Sequence, residues 1–362
     1  MSTAPDQPSD RLTEWLRGHG QDADVVLSSR VRLARNLAGI PFVGKASRPQ
    51  RQQVLDLCRA QVQDSGLGRS MGWIDLHTAS PSDRTLLVER HLISQQHARG
   101  KQSSGVGGPD EPRAVIVATP DDRTSIMVNE EDHLRLQVIR SGLDLGRTLA
   151  EADSLDDALE AGLDYAFSPR FGYLTACPTN VGTGIRLSVM LHLPALRLTG
   201  NIEKVKRAAA DMSLAVRGFY GEGSEATGDL YQLSNQTTLG KTEQVLLQEL
   251  EQQVLPKIIE YERRERKVLT TKRTMDLHDQ VYRALGTLTH ARLIATEESM
   301  QLLSLIRLGV VCGVLDHVDQ CAVNQLFLLT QPAHLQRASG RELDQDQRRA
   351  ARADLLRARL LK

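Results

Sequence analysis

The sequence predicts an α+β chain: an antiparallel sheet flanked by helices, followed by an all-helical C-terminal region. Three observations carry this. Residues 114–117 and 125–128 are two short β-rich runs separated by Pro120-Asp121-Asp122, which reads as an antiparallel hairpin. Leu149, Ala152, Leu155, Leu159 and Leu163 recur at helical spacing. The texture then changes after Thr238, and from Lys241 onward nearly everything reads as helix.

In chain order, Asp24 to Leu27 leads into Ser28-Ser29-Arg30-Val31-Arg32-Leu33, which alternates as a strand does. Residues 101–112 (KQSSGVGGPDEP) form the most loop-like stretch and are expected to be mobile. Residues 173–176 read as a short strand, and a helix is expected to begin near Ile185. Residues 214–216 and 230–233 read as two further strands. Leu246, Leu250, Val254, Ile258 and Tyr261 make one apolar helical stripe. A second helix starts near Thr296, with Glu297 and Glu298 suited to the positive end of its dipole, and residues 341–362 form a charged amphipathic helix. The division falls between roughly 235 and 245, giving one domain over 1–240 and a helical domain over 241–362.

Charge and cysteine usage narrow the function classes. Lys+Arg and Asp+Glu are both 45, so the formal net charge is zero, which speaks against whole-protein affinity for nucleic acid or an anionic membrane. Cys58, Cys177, Cys312 and Cys321 include no CxxC pair and have no histidine cluster nearby, so no resident metal is expected. Sparse cysteines suit a reducing cytoplasm. The polar N-terminus lacks a signal-peptide core, and the longest uncharged apolar run, 308–315, is far below a membrane span.

No P-loop sequence GxxxxGK[ST] is present, nor the protein-kinase set of Gly-rich loop, HRD and DFG. The sequence offers arginines instead. Arg30 and Arg32 are two apart and so face the same way on a strand, while Arg135, Arg186 and Arg217 each lie in or just after a polar segment. Arginine matches phosphate oxygens with a planar fork and keeps its charge. Any one of them alone reads as a solvated strand edge; several converging would neutralise a triphosphate. Asn129-Glu130-Glu131-Asp132-His133 could be a metal site, a general base or a plain loop. In Cys177-Pro178-Thr179-Asn180-Val181-Gly182-Thr183-Gly184, the glycines permit close backbone approach. The expected helix start would favour an anion and a lowered thiol pKa at Cys177, whose plain alternative is a buried small residue. Arg217-Gly218-Phe219-Tyr220-Gly221-Glu222 leads into a flexible glycine-bearing stretch, where a glutamate could clamp a cation or simply shape a turn.

Together SSRVRLARNL (28–37), NEEDHLRLQ (129–137), CPTNVGTGIRLSVM (177–190) and RGFYGE (217–222) resemble the phosphagen kinase (ATP:guanidino phosphotransferase) family, in the family's order over about 200 residues. YLTACPTNVGTG, Met190, LYQLSNQTTLG (230–240) and MQLLSLIRLGV (300–310) are similar to its bacterial protein arginine kinase branch, the McsB type. The resemblance implies a phosphagen-kinase-like catalytic domain followed by a helical dimerising domain. It also implies transfer of the ATP γ-phosphoryl group, with Mg2+ carried on the nucleotide, to arginine residues of proteins. The short segment before the first motif fits an acceptor site open enough for a protein surface. Other readings of the same motifs are a small-molecule arginine kinase and a catalytically silent phosphoarginine-binding adaptor.

By resemblance, Glu131 is the general base, Glu222 its partner clamp on the acceptor guanidinium, and Cys177 helps orient it. The nucleotide is lined by Ser28, Ser29, Arg30, Val31, Arg32, Arg135, Arg186, Leu187, Ser188, Val189, Met190, Arg217, Gly218, Phe219, Tyr220, Gly221 and Glu222, with His91 stacked near the adenine. The branch also carries an R-D-x-x-R-A stretch forming an allosteric phosphoarginine pocket. Here it reads Arg348-Arg349-Ala350-Ala351-Arg352-Ala353, with Arg349 in place of the acid, so phosphoarginine feedback is expected to be impaired. Implied partners are protein substrates with exposed arginine, a second copy of the chain, a zinc-binding activator protein, a heat-shock repressor and Clp protease machinery, in a setting of regulated degradation or stress control.

Overall fold

The structure is a computed structural model that describes residues 13–100, 108, 110–219 and 227–361. Its frame is an eight-stranded sheet in which every neighbouring pair is antiparallel. In chain order the strands are β1 (Val26–Arg35), β2 (Met71–Asp75), β3 (Ala114–Ala118), β4 (Thr124–Val128) and β5 (Leu134–Ser141). A separate two-stranded ribbon, β6 (Phe167–Ser168) and β7 (Gly172–Tyr173), precedes β8 (Ile185–His192), β9 (Leu214–Arg217) and β10 (Leu230–Asn235). The order across the large sheet is β2-β3-β4-β5-β1-β8-β10-β9, so the first strand of the chain lies in the middle. The hairpin expected at 114–128 is present as β3 and β4.

Strand alternation sorts the side chains. Val31, Leu33, Leu136, Val138, Leu187, Val189 and Leu233 share one face and are almost fully buried. Helices α1 (Arg48–Asp64) and α4 (Leu145–Glu160) cover that face with Val54, Leu55, Cys58, Leu149, Ala152 and Leu159. Burying each such aliphatic side chain stabilises the fold by roughly 1.5–3 kcal/mol. The first turn of α1 is set by Ser47 and Gln50, which cap each other's backbone, with Pro49 where no N–H is needed. On the opposite face, towards β2, helices α2 (Pro81–Glu89) and α3 (Gln95–Arg99) lie over Val115, Val117 and Met127.

After β8 come α5 (Pro194–Leu198) and α6 (Ile202–Asp211); after β10, α7 (Glu243–Gln248), a π-helical turn Glu249–Val254 and α8 (Leu255–Lys272). Pro256 lacks the N–H that would continue the α-helical ladder, which accounts for the wide turn before it. Leu246, Leu250, Val254 and Ile258 pack into the sheet's core as the stripe predicts, but Tyr261 is half exposed. It lies on an open groove lined also by Leu196, Val205, Met212 and Ile258, which leaves half of it in solvent. Five more helices follow: α9 (Thr274–His290), α10 (Thr296–Val311), α11 (Gln320–Leu329), α12 (Pro332–Ser339) and α13 (Gln345–Leu360). Their shared apolar cluster also takes in Trp15, Leu16, Leu27, Ile139, Met190 and Phe219 from the sheet region.

A buried polar joint accompanies this packing. His192 accepts from Arg307 Nη1 at Nδ1 (2.8 Å), which leaves its Nε2–H to donate to Ser304 Oγ (2.9 Å), and Ser304 donates to Asp229 (2.7 Å). Glu89 at the end of α2 accepts from the backbone N–H groups of Ala333 and His334, the first turn of α12.

Two expectations are corrected. The helix foreseen near Ile185 is the central strand β8. Ile185, Leu187, Val189 and Leu191 alternate with Arg186, Ser188 and Met190, which is a period of two, and all four of the former lie in the core. No helix dipole therefore faces Cys177; a single 3₁₀ turn, Pro178–Asn180, follows it. The strand foreseen at 173–176 stops at Tyr173, because the Ala176 N–H turns to the Asp132 carboxylate (2.7 Å) instead of a neighbouring strand. Most of the loop foreseen at 101–112 lies outside the described residues.

Candidate active site

Strand register assembles the arginines. Arg32 pairs across to Gln137 on β5 and to Arg186 on β8; Ala34 pairs with Arg135; Gln232 pairs with both Met190 and Arg217. Residues opposite one another share a face, so Arg30, Arg32, Arg135, Arg186 and Arg217 all stand on the side away from the apolar core. Arg30 donates to Ser188 Oγ (3.3 Å) and to Gln232 Oε1 (2.7 Å), and Arg186 donates to Asn180 Oδ1 (3.3 Å). Burial, with Arg135, Arg186 and Arg217 nearby, pushes the Arg30 pKa down to about 10. Arg32 is held well below its usual value by burial and by the other four arginines. Guanidinium does not give up its proton in proteins, so these directions express the cost of burying the charges and, after that, of crowding them together; a polyanion relieves the crowding.

At the margin of this face, β4 and β5 are joined by the tight turn Asn129–His133, closed by Asn129 N–H to His133 O (2.9 Å). Its side chains divide by role. Glu130 is buried and accepts from Ser94 Oγ (2.6 Å), Arg135 Nη1 (2.8 Å) and the Glu131 N–H (2.9 Å); burial works to raise its pKa, but the Arg135 charge and these donors outweigh it and the pKa is lowered. Burial raises the pKa of Asp132, whose Oδ1 accepts from Asn36 (2.6 Å) and from Ala176 N–H. His133 accepts at Nδ1 from Leu37 N–H (3.0 Å), so its Nε2–H donates to Pro41 O (3.0 Å). Asp132 and His133 thus fasten the scaffold. Glu131 lies 3.6 Å from Arg135 and lines a cleft of about 280 Å³ together with Ala176.

Cys177 follows Ala176 directly, is partly exposed, and touches Thr179 Oγ1 (3.1 Å). It is close enough to Arg135 to contribute to that arginine's raised pKa, where Glu130, Asp132, Glu131 and Cys177 together outweigh burial. Gly184 in the same loop has φ +68°, and a Cβ there would lie 2.7 Å from Ala34 O, while its own carbonyl accepts from Ala34 N–H. The close approach that this glycine permits is to β1.

The other predicted site residues fall as follows. Ser28, Ser188 and Met190 share the arginine face. The side chains of Val31, Leu187 and Val189 point into the core, and Ser29 Oγ bonds to Gly142 O (2.9 Å) and Asp144 N–H (2.9 Å), so these four offer the arginine face backbone only. His91 packs edge-on between Trp15 (5.0 Å) and Phe219 (4.8 Å), the residue that follows Gly218, and lines a small pocket with Arg30 and Gln232. Burial, then Arg30 and Arg32, lower its pKa to about 3. Tyr220, Gly221 and Glu222 lie outside the described residues.

Arg348, Arg349, Ala350, Ala351, Arg352 and Ala353 are on α13, far along the chain from this face. Arg352 is buried and donates to Thr330 O (2.7 Å), Ile294 O (2.8 Å) and Thr296 Oγ1 (2.8 Å). Arg348 bonds to Leu343 O (2.6 Å), and Arg349 lies 3.3 Å from Asp346.

Sequence reasoning missed Asn36, Gln137, Asn180 and Gln232. Gln137 carries the His91 carbonyl (2.7 Å) and Gln232 orients Arg30. For Gln137 and Gln232 the available signal was an amide within a strand pattern of apolar alternation; Asn36 and Asn180, outside the strands, carried none.

Residues 53–265 match the family model for the ATP:guanido phosphotransferase C-terminal catalytic domain. The chain belongs to the ATP:guanidino phosphotransferase family. Residues 274–362 match the protein-arginine kinase McsB C-terminal domain, which puts the chain in the McsB-type branch. Among curated relatives, the protein-arginine kinase of Halothermothrix orenii is 44% identical over 96% of this chain and 97% of its own. That of Symbiobacterium thermophilum is 45% identical over 96% of each, and that of Bacillus subtilis 39% over 97% and 94%. Among solved structures, lombricine kinase superposes with a TM-score of 0.57 at 25% identity, covering 72% of this chain and 71% of that one. The duplicated taurocyamine kinase of Schistosoma mansoni, with transition-state-analogue components, gives 0.58 at 26%, covering 73% and 36%.

Proposed function

We propose that this chain transfers the γ-phosphoryl group of ATP to the guanidinium of arginine residues in proteins. The observation that carries the reading is the convergence of five arginines on one face of the sheet, with the Glu130–Glu131 turn at its margin. Arg30, Arg32, Arg135, Arg186 and Arg217 hold the triphosphate and steady the charge that moves to the leaving ADP. Magnesium travels on the phosphates, with water completing its shell.

The acceptor is a cation with a pKa above about 12 and a poor nucleophile while protonated. Glu131 pairs with its N–H groups, aims one nitrogen at phosphorus and takes the proton released as the N–P bond forms and the bond to ADP breaks. Glu222 is assigned the partner role from its motif, and Cys177 the role of orienting the guanidinium. Asp132, through Ala176, sets the position of Cys177 relative to Glu131. Alignment of this kind supplies the larger part of phosphoryl-transfer catalysis.

The branch likeness supports a homodimer that works in the cytoplasm with an activator, a repressor substrate and Clp protease machinery. Four unpaired cysteines suit that compartment. Among the described residues no helix is long and apolar enough to cross a membrane.

The test is mass spectrometry of an arginine-rich protein after incubation with ATP and magnesium. Phosphate is expected on arginine, acid-labile and stable to base. Transfer to free arginine alone would refute the protein acceptor. Glu131→Gln is expected to lower turnover by at least about 10²-fold while leaving ATP affinity nearly unchanged; turnover near wild type would remove Glu131 from its role.

A further inference from the structure

Helices α6 and α8 stand on either side of an open groove of about 650 Å³. Both walls are stripes at helical spacing. Val205, Ala208, Ala209 and Met212 follow i, i+3, i+4, i+7 along α6 and just past its end, and Val254, Ile258 and Tyr261 follow i, i+4, i+7 into α8. Leu196, Ala209, Val254 and Ile258 are the buried floor and belong to the apolar cluster on the side of the sheet away from the arginines. Above them the apolar surface is uncovered: Met212 and Tyr261 are 47% and 50% exposed. The groove has the volume of roughly twenty waters, so it takes a segment of chain and not a single side chain. From Val254 to Glu265 its α8 wall runs about 16 Å, the length of three helical turns.

The rim carries an excess of positive charge that the fold does not use. Lys204, Lys257 and Arg264 stand there against one acid, Glu265. Lys204 donates to Asn201 Oδ1 (2.9 Å), a neutral partner, and Lys257 and Arg264 have no hydrogen-bond or ion-pair partner among the described residues. Their neighbours on α8 differ. Arg263 is paired with Asp22 and Asp24, and Arg266 with Asp24 and Glu262. The whole chain has a formal net charge of zero, so this excess is local. A groove between two helices accepts a third helix that lays its own apolar stripe on the floor, and the rim then sets the sign of the charges beside that stripe.

We propose that this groove docks an amphipathic helix of another protein, one whose apolar stripe is flanked by acidic side chains. Helix α4 of a second copy has that chemistry, with Glu151, Asp153, Asp157 and Glu160, but its apolar stripe is already buried in the core and is not free to dock. An occupant of the groove leaves the arginine face open, so docking and phosphoryl transfer use opposite sides of the sheet.

The experiment uses two fluorescently labelled synthetic peptides of about 18 residues, long enough for an isolated helix to form. Both carry leucine at i, i+4 and i+7; one has glutamate on either side of the stripe and the other lysine. Each is titrated against the full-length protein by fluorescence anisotropy. The glutamate peptide is expected to bind at least about tenfold tighter than the lysine peptide, the combined effect of three exposed charge contacts. It should lose most of that margin when salt is raised about tenfold. The double substitution Lys257→Glu, Arg264→Glu should reverse the preference, and Ala208→Trp, which fills the groove, should weaken both peptides. A preference between two peptides on one protein is insensitive to how much of a variant folds. Absence of binding by either peptide, equal affinities, or a preference that survives the charge reversal would overturn the proposal. It would be overturned equally if the double substitution split an oligomer in sedimentation, which assigns the groove to a second copy. Binding to phosphatidylglycerol vesicles that the same substitution abolishes would assign it to a lipid surface and also overturn it.

Discussion

The guanidinium of Arg32 has Arg30, Arg135, Arg186 and Arg217 as electrostatic neighbours and makes no hydrogen bond among the described residues. Nothing in the fold needs its charge, and the crowding works against it. Arg32→Met keeps the aliphatic stem and removes the charge. It is expected to raise the KM for ATP at least about tenfold, the effect of losing one charged contact, while leaving the unliganded protein as stable or about 1 kcal/mol more so. Thermal denaturation beside ATP kinetics checks both halves; a protein that loses stability and keeps its KM would show Arg32 to be structural. The spacing of Arg30 and Arg32 already gave their shared direction from sequence. Their meeting with Arg135, Arg186 and Arg217 was not legible in that way, because it depends on which strands become neighbours, and those residues are separated by up to 187 positions along the chain.

Among the elements, α13 shows how a charged helix can be misread from its pattern. Its residues 348–353 read as a basic stretch in which three arginines are alike. In the fold they differ: Arg352 ties α13 to Ile294, Thr296 and Thr330, whereas Arg349 is on the surface beside Asp346. Arg352→Ala strips bonds from two backbone carbonyls and a hydroxyl and is expected to destabilise the protein by about 3 kcal/mol or more. Arg349→Ala should stay within about 0.5 kcal/mol. Urea denaturation of the two variants separates the cases, and equal midpoints would contradict the assignment. Strand β8 teaches a related lesson. The glycine-rich CPTNVGTG drew attention to a possible helix start, although Ile185, Leu187, Val189 and Leu191 carried a clear two-residue period. The hairpin at 114–128 was legible because its runs are short, apolar and separated by turn residues. The capping of α12 by Glu89 left no local mark, since its partners are 244 and 245 residues away.

At the scale of the molecule, four histidines are buried neutral. Burial lowers the pKa of His91 to about 3 and of His97 and His133 to about 4, and burial with Arg307, Arg266 and Arg197 holds His192 well below its usual value. In the unfolded chain they titrate near 6.5. Below that pH the unfolded state binds protons that the folded state refuses, so stability falls as pH falls, by about 1.4 kcal/mol per pH unit for each histidine. Asp132 and Glu262, whose carboxyls burial raises, act in the opposite sense and trim the slope. The melting temperature is expected to drop on the order of 10 °C between pH 7 and pH 5. A flat profile over that range would mean that these rings are charged in the fold. The helical C-terminal character was legible from the change of texture after Thr238. That its apolar cluster reaches back to Trp15 and Leu27 was not, because no local pattern encodes a contact across more than 200 residues.

That same reach gives the protein an optical handle. Its two tryptophans occupy unlike places: Trp15 is enclosed with His91 and Phe219 at the wall of the arginine face, while Trp73 lies on the edge strand β2 under the guanidinium of Arg59. With Trp73 replaced by phenylalanine, the emission of the whole chain comes from one indole. That indole is held between the arginine face and the C-terminal helices, where both can alter its colour.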